Sequence, residues 1–351
     1  MNRLRSLTCL AAALLLATAA TAKPRREPPP KPLGTRPALV AFANELAAAE
    51  GWDAAALRRQ LAAASNLPKV RQLILPAAAP TAKNWAAYRD RFVEPRRIDA
   101  GLAFWAQHEA ALARAEATYG VPAEVVMGIL GVETYYGRIM GGFKVLDALA
   151  TLAFDFPAAH PRAAERQAFF RSELAEFLRL TREQGLAPED VRGSYAGALG
   201  WPQFMPGSWR KYAVDFDGDG HINLMASPVD AIGSVAHYLA EFGWKPGQPT
   251  HYADVTLPAD PADRARLLAP DIKPTFTAAE LLAAGATLPD TARSHAGPLA
   301  VIELHNGGGA PTLVLGTENF WVVTRYNWSA YYALAVIELG QAVKVARPTA
   351  P

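Results

Sequence analysis

The chain has 351 residues, 51% of them hydrophobic and 19% charged, a balance that excludes a disordered protein and leaves ample material for a core. Its formal charge is +2, and once Arg3 and Arg5 are set aside 33 basic residues face 33 acidic ones, so no basic field recommends a nucleic-acid partner.

The N-terminus is a separate object. "MNRLRSLTCLAAALLLATAATAKP" places two arginines before an apolar run and closes it with Ala20-Thr21-Ala22. That is the layout of a secretory signal over residues 1–22 with an A-x-A cleavage site, too short for a membrane span. Cleavage would remove Cys9, the only cysteine, and deliver a thiol-free protein to the periplasm. Little apolar sequence precedes Cys9, which argues against a lipid anchor there. The Pro-rich, charged segment 23–37 reads as a linker.

From residue 38 to about 243 the pattern is helical. Asp53 is positioned to cap "AAALRRQLAAA". Ile98, Leu102, Trp105 and Leu112 form one face of a long helix that ends at Gly120. Pro122 then opens "VPAEVVMGILGVETYYG", with Glu124 near the positive end of the helix dipole. Val126, Ile129 and Leu130 lie seven, four and three residues before Glu133, so helical spacing stacks them on the stripe that carries this carboxylate. A negative charge at a helix C-terminus is opposed by the dipole, and folding alone has no reason to place it there. It can be offset by an ion pair, with Arg138 or Arg162 as partners. Alternatively, an apolar wall keeps the carboxyl protonated to higher pH and makes it a general acid.

"GSYAGALGWPQFMPGSW", residues 193–209, is rich in glycine, proline and aromatic side chains. It suits the lining of a sugar groove, where aromatic faces stack on pyranose rings and Ser194 and Gln203 supply hydrogen bonds; packed connecting loops share this composition. "DFDGDGHINLMA" follows. Asp215, Asp217 and Asp219 occupy alternate positions, Gly220 provides the tight turn, and His221 would offer its backbone carbonyl. This is the pattern of an EF-hand-like Ca²⁺ loop, although Ala226 stands where a bidentate glutamate is usual. Asp230 is the next acidic residue and the expected closing ligand. An acidic turn that uses Asp and Gly only for backbone geometry is the alternative.

Composition shifts after Gly243. "HYADVTLP" predicts a strand, "TAAELLAAG" a helix with a Thr277/Glu280 capping box, and "LAVIELHNGGGAPTLVLG" two strands about a glycine-rich turn. "SAYYALAVIELG" predicts a last helix stopped by Gly340. The expected architecture is mainly α (α+β): a helical body over 38–243, a small α/β insert over 244–317, and a segment over 318–345 that returns to the body.

Three stretches taken together, "GILGVETYYGRIMGGFKVLDALATLAFDFP", "GSYAGALGWPQFMPGSWRKYAVDFDGDGHINL" and "SPVDAIGSVAHYLAEFGW", resemble the membrane-bound lytic murein transglycosylase B family. The resemblance spans about Trp85 to Gly340. It implies a lysozyme-like helical core and cleavage of the β-1,4 bond between N-acetylmuramic acid and N-acetylglucosamine in peptidoglycan glycan strands, leaving 1,6-anhydromuramoyl ends. Carried over motif by motif, Glu133 matches the single catalytic acid/base. Tyr88, Ser194, Gln203, Tyr238, Tyr326, Asn327 and Tyr332 match substrate-binding positions. Asp215, Asp217, Asp219, His221 and Asp230 match a calcium loop, here followed by one more residue before Pro228 than in the family pattern. No organic cofactor is implied, and cell-wall synthesis or remodelling proteins are the partners expected. A hydrolytic muramidase and a non-catalytic glycan-binding scaffold are the rival readings.

Overall fold

The computed structural model describes residues 31–76 and 83–348, so the signal segment and most of the expected linker lie outside it. Two helices, Pro37–Glu50 and Ala54–Ala63, open the described chain, and Asp53 caps the second by accepting the Ala55 and Ala56 N–H groups. The long helix Pro95–Tyr119 ends at Gly120 in the left-handed conformation, as its apolar face and terminal glycine predict. His108 breaks its helical geometry with φ −122°. The helix that carries Glu133 runs from Ala123 to Thr134 and is buried along almost its whole length.

Two further helices, Val145–Phe154 and Ala163–Glu183, pack against each other. A two-residue antiparallel pairing, Phe143–Lys144 with Arg192–Gly193, then leads into the glycine-rich segment. That segment is irregular only as far as Met205, because Pro206 starts a short helix to Tyr212.

The insert is built on a three-stranded antiparallel sheet. Gly309–Gly316 is its central strand, flanked by His251–Tyr252 and Ala300–Asn306. Thr277 and Glu280 form the expected capping box on the helix Ala278–Ala283. Period-two alternation gives the sheet two buried faces. Ala300, Ile302, Leu304 and Val314 enter the core of the helical body, whereas Val301 and Leu315 enter a second, smaller core with Leu267, Leu281 and Leu299.

The C-terminal part corrects one expectation. Gly340 does not stop the last helix, which continues from Ala330 to Ala346. Its role is close approach. A Cβ on Gly340 would lie 1.9 Å from the Glu124 carbonyl oxygen, and one on Gly128 would lie 2.1 Å from the Val336 carbonyl oxygen. The two helices therefore cross antiparallel with backbone against backbone, and glycine is required from each side. Glu124, placed by sequence at the dipole, is buried in this seam and pairs with Lys344 at 2.8 Å.

At an ordinary helical position Gly→Ala stabilises by about 1 kcal/mol, whereas overpacking a tight contact costs about 1–3 kcal/mol. The clash decides the sign here: Gly340→Ala is expected to lower the denaturation midpoint in urea, and an unchanged or raised midpoint would refute the close-crossing role.

Candidate active site

Glu133 lies in the last turn of its helix, and the way that helix ends fixes it. Tyr135 and Tyr136 both adopt φ 54°, and Gly137 follows at 78°. Non-glycine residues reach this left-handed region at a cost of about 1–2 kcal/mol each, so two in succession mark a turn imposed by its surroundings. The turn returns the Tyr136 N–H to the Leu130 carbonyl and the Tyr135 N–H to that of Gly131. Arg97, from the long helix, donates to the Gly131 carbonyl at 2.6 Å and stacks over the Tyr135 ring. A cation on the last carbonyls offsets the dipole that opposes Glu133. Thr134, fully buried, donates to the Trp201 carbonyl at 2.9 Å and accepts from the Gly137 N–H.

No salt bridge to Glu133 exists among the described residues. The two arginines considered as partners are elsewhere: Arg138 lies over the Tyr135 ring, and Arg162 pairs with Glu165. The Tyr332 hydroxyl instead donates to Glu133 Oε1 at 2.6 Å. Burial pushes the Glu133 pKa up from 4.5 to about 7, against the opposing pull of that hydrogen bond. The residue as a whole is only half-buried, as a carboxyl at the floor of a groove would be. Tyr332 is held protonated well above the ordinary tyrosine range, by burial first and then by the charge of Glu133, so it stays a donor.

Three of the sequence-selected tyrosines, Tyr326, Tyr238 and Tyr88, lie close to this pair. Tyr326 stacks parallel to Tyr332, with centroids 6.5 Å apart, and its hydroxyl donates to the Pro202 carbonyl at 2.6 Å. Tyr238 packs edge-on against Tyr326 at 5.0 Å and gives its hydroxyl to the Arg325 carbonyl, which makes it a buttress behind the first layer. Tyr88 approaches from the other side, near enough that the Glu133 charge adds to the burial that raises its pKa. Asn327 caps the helix Glu318–Tyr326 and is exposed.

Ser194 and Gln203 have a second job. Ser194 Oγ accepts from Ala198 N at 2.9 Å and Ala196 N at 3.3 Å, which closes the glycine-rich turn. Gln203, itself at φ 50°, donates its amide to the carbonyls of Gly200 and Met140. Among the described residues the Ser194 hydroxyl hydrogen and the Gln203 side-chain oxygen have no hydrogen-bond partner. Arg97 and Thr134 escaped the sequence reading. Nothing marks Arg97, 34 residues before the carbonyl it serves.

The acidic loop comes together in part. Carboxylate oxygens of Asp215, Asp217 and Asp230 lie within 4.8 Å of one another. Asp230 is fully buried and accepts from the N–H groups of Phe216, Asp217 and Asn223. Among the described residues none of the three forms a salt bridge; backbone N–H groups and the Ser227 hydroxyl are their hydrogen-bond donors. These oxygens fit a hard divalent ion. Asp219 does not join the cluster: it is exposed, and its carboxylate caps the His221 N–H at 2.8 Å. Later in the same loop, the Leu224 carbonyl accepts from Trp201 N at 2.9 Å, and the Trp201 carbonyl in turn accepts from Thr134.

Comparison with known proteins places this geometry. The family described as Transglycosylase SLT domain matches residues 34–341. The membrane-bound lytic murein transglycosylase B of Escherichia coli (strain K12) is 40% identical over 316 residues, covering 87% of this chain and 82% of that protein. The E. coli lytic transglycosylase SLT35, solved in complex with calcium, superposes with a TM-score of 0.78 at 38% identity, over 90% of this chain and 96% of that one. SltB3 from Pseudomonas aeruginosa, solved in complex with NAG-anhNAM-pentapeptide, gives 0.71 at 31% identity, over 87% and 78%. The chain belongs to the SLT-domain transglycosylases and is a lytic transglycosylase of peptidoglycan with their lysozyme-like, mostly helical fold.

Proposed function

We propose that Glu133 alone supplies both the acid and the base for cleavage of the bond between N-acetylmuramic acid and N-acetylglucosamine. The observation that carries this reading is a carboxyl with a pKa of about 7 that owes its shift to burial, with neither a cation nor a second carboxylate contributing. Protonated, Glu133 gives its proton to the glycosidic oxygen as the C1–O bond breaks. The resulting carboxylate then takes the proton of the muramoyl C6 hydroxyl, whose oxygen forms the new bond to C1. One group returns to its starting state, where glycosidases that recruit water divide the work between two carboxylates. Tyr332 holds the carboxyl in place. The apolar wall disfavours water at C1. Tyr88, Ser194, Gln203, Tyr326 and Asn327 would contact the strand, and Tyr238 would support Tyr326.

Asp215, Asp217 and Asp230 would hold one Ca²⁺, with Asp219 and the His221 carbonyl as the neighbouring oxygens. The ion's task is structural. It pins the loop whose Leu224 carbonyl supports Trp201, and Trp201 supports Thr134 beside the acid. The signal-like N-terminus and the chemistry of the substrate support a periplasmic location. Among the described residues no helix is long and apolar enough to cross a membrane.

Mass spectrometry of digested sacculi tests the reaction: 1,6-anhydromuramoyl ends are expected, whereas reducing ends would mean hydrolysis and binding without products a scaffold. Glu133→Gln should lower kcat/KM by about a thousandfold or more, since positioned proton transfer is worth about 10²–10⁴. For the parent, kcat/KM should fall tenfold per pH unit above about 7 as the acid form is lost.

Stability gives an independent readout. The folded protein keeps the Glu133 proton to about pH 7 and the unfolded chain releases it near 4.5, so the parent loses stability as pH rises through that window. Glu133→Gln does not titrate and should become progressively more stable than the parent, by up to about 3 kcal/mol at pH 8. An equal difference at pH 4.5 and 8 would remove the raised pKa. Chelation should lower the melting temperature and added Ca²⁺ restore it; no response would leave the loop as an acidic turn.

A further inference from the structure

A cleft of about 550 Å³ opens where the insert meets the helical body, beside Glu133 but separate from it. Its position follows from the last helix: Tyr332 reaches the acid, and its neighbour Tyr331 lines the cleft, with Tyr88 5.9 Å away across the shared wall. The walls are tied together. The Tyr331 hydroxyl accepts from His305 N at 2.7 Å, the Gly307 N–H donates to the Lys83 carbonyl, and Asn306 accepts from Ala86 N. The insert hairpin is thereby fastened to the body on both sides of the opening.

The lining is charged in a way that a neutral sugar does not need. Lys83 and Arg91 are exposed on one side, and neither forms a salt bridge among the described residues. Asp271 and Glu303 face the same space, and Glu303 is partly neutralised by Arg264. Trp328 adds an aromatic face that is 55% exposed, with the Arg325 guanidinium stacked on it. Hydroxyl and N-acetyl groups of a glycan offer no formal charge to either pair. The peptide stem does: it leaves the muramoyl ring from the lactyl group and carries free carboxylates, and its diamino residue carries an ammonium.

We propose that this cleft receives the peptide stem of the substrate strand, with Lys83 and Arg91 taking its carboxylates and Asp271 its ammonium; the proposal rests on the peptidoglycan-cleaving reading above. Bound there, the stem adds affinity through contacts remote from the reacting bond, so the effect falls on KM and leaves the chemical step alone.

The test compares the full-length parent with a Lys83→Ala/Arg91→Ala double variant on two substrates: glycan strands with tetrapeptide stems, and the same strands stripped of peptide by an amidase. On stem-bearing strands KM should rise about tenfold with kcat kept, the loss expected of one or two charge-assisted contacts. On stripped strands both constants should match the parent, with an unchanged melting temperature. Asp271→Asn should weaken binding of stems with a free ammonium and not of stems whose ammonium is acetylated. Equal losses on both strands would assign the cleft to sugar, and no change on either would leave it without a substrate role; both outcomes overturn the proposal while the parent still forms anhydro ends. A parent that forms no anhydro ends from either strand would overturn the functional reading itself, and this proposal with it.

Discussion

Everything at the site depends on how closely two helices can cross. Gly128 and Gly340 let the helix Ala123–Thr134 and the terminal helix approach until backbone meets backbone. Along that antiparallel seam the contacts step from Glu124 against Gly340, through Gly128 against Val336, to Glu133 against Tyr332. A side chain at either glycine would force the helices apart along the seam that also carries the Tyr332–Glu133 hydrogen bond. Interiors pack as densely as organic crystals, so such a displacement is not absorbed locally.

The second constraint is electrostatic. A carboxyl at a helix C-terminus is opposed by the dipole, and one removed from water is opposed again by desolvation. The protein answers the first with Arg97 on the Gly131 carbonyl and with the left-handed turn at Tyr135 and Tyr136, which uses up the last carbonyls. It leaves the second largely uncorrected. Tyr332 supplies one neutral donor and among the described residues no cation pairs with Glu133, so burial holds its pKa up at about 7, above its ordinary 4.5. That partial correction suits the acid-then-base role proposed for Glu133.

Local signals were legible in the sequence wherever the cause was local. Asp53, Gly120, the Thr277/Glu280 box and the hairpin about Gly307–Gly309 each act within a few residues, and each forms as read. Gly340 was misread for a physical reason: a glycine needed for a helix stop and one needed for close approach look alike until the opposing helix is known. The same limit applies at the site. The glutamate stood out against its apolar stripe and the family motif singled out Tyr332 as a substrate-binding position, but its hydrogen bond to the acid and the arginine that makes the acid's position tolerable carry no mark in sequence. In the acidic loop, spacing identified the cluster, and only folding separated Asp217, which joins it, from Asp219, which turns to cap His221.

The pairing of Glu133 with Tyr332 joins residues 199 positions apart. The acid is thus laid down early in synthesis and its holding group arrives among the last turns of helix. A nascent chain, or a fragment ending before Ala330, contains the full apolar helix and the glycine-rich segment yet has nothing to secure the carboxyl or to close the wall over it. Under the acid/base role proposed for Glu133, its carboxyl is secured only once the helix Ala330–Ala346 has been made.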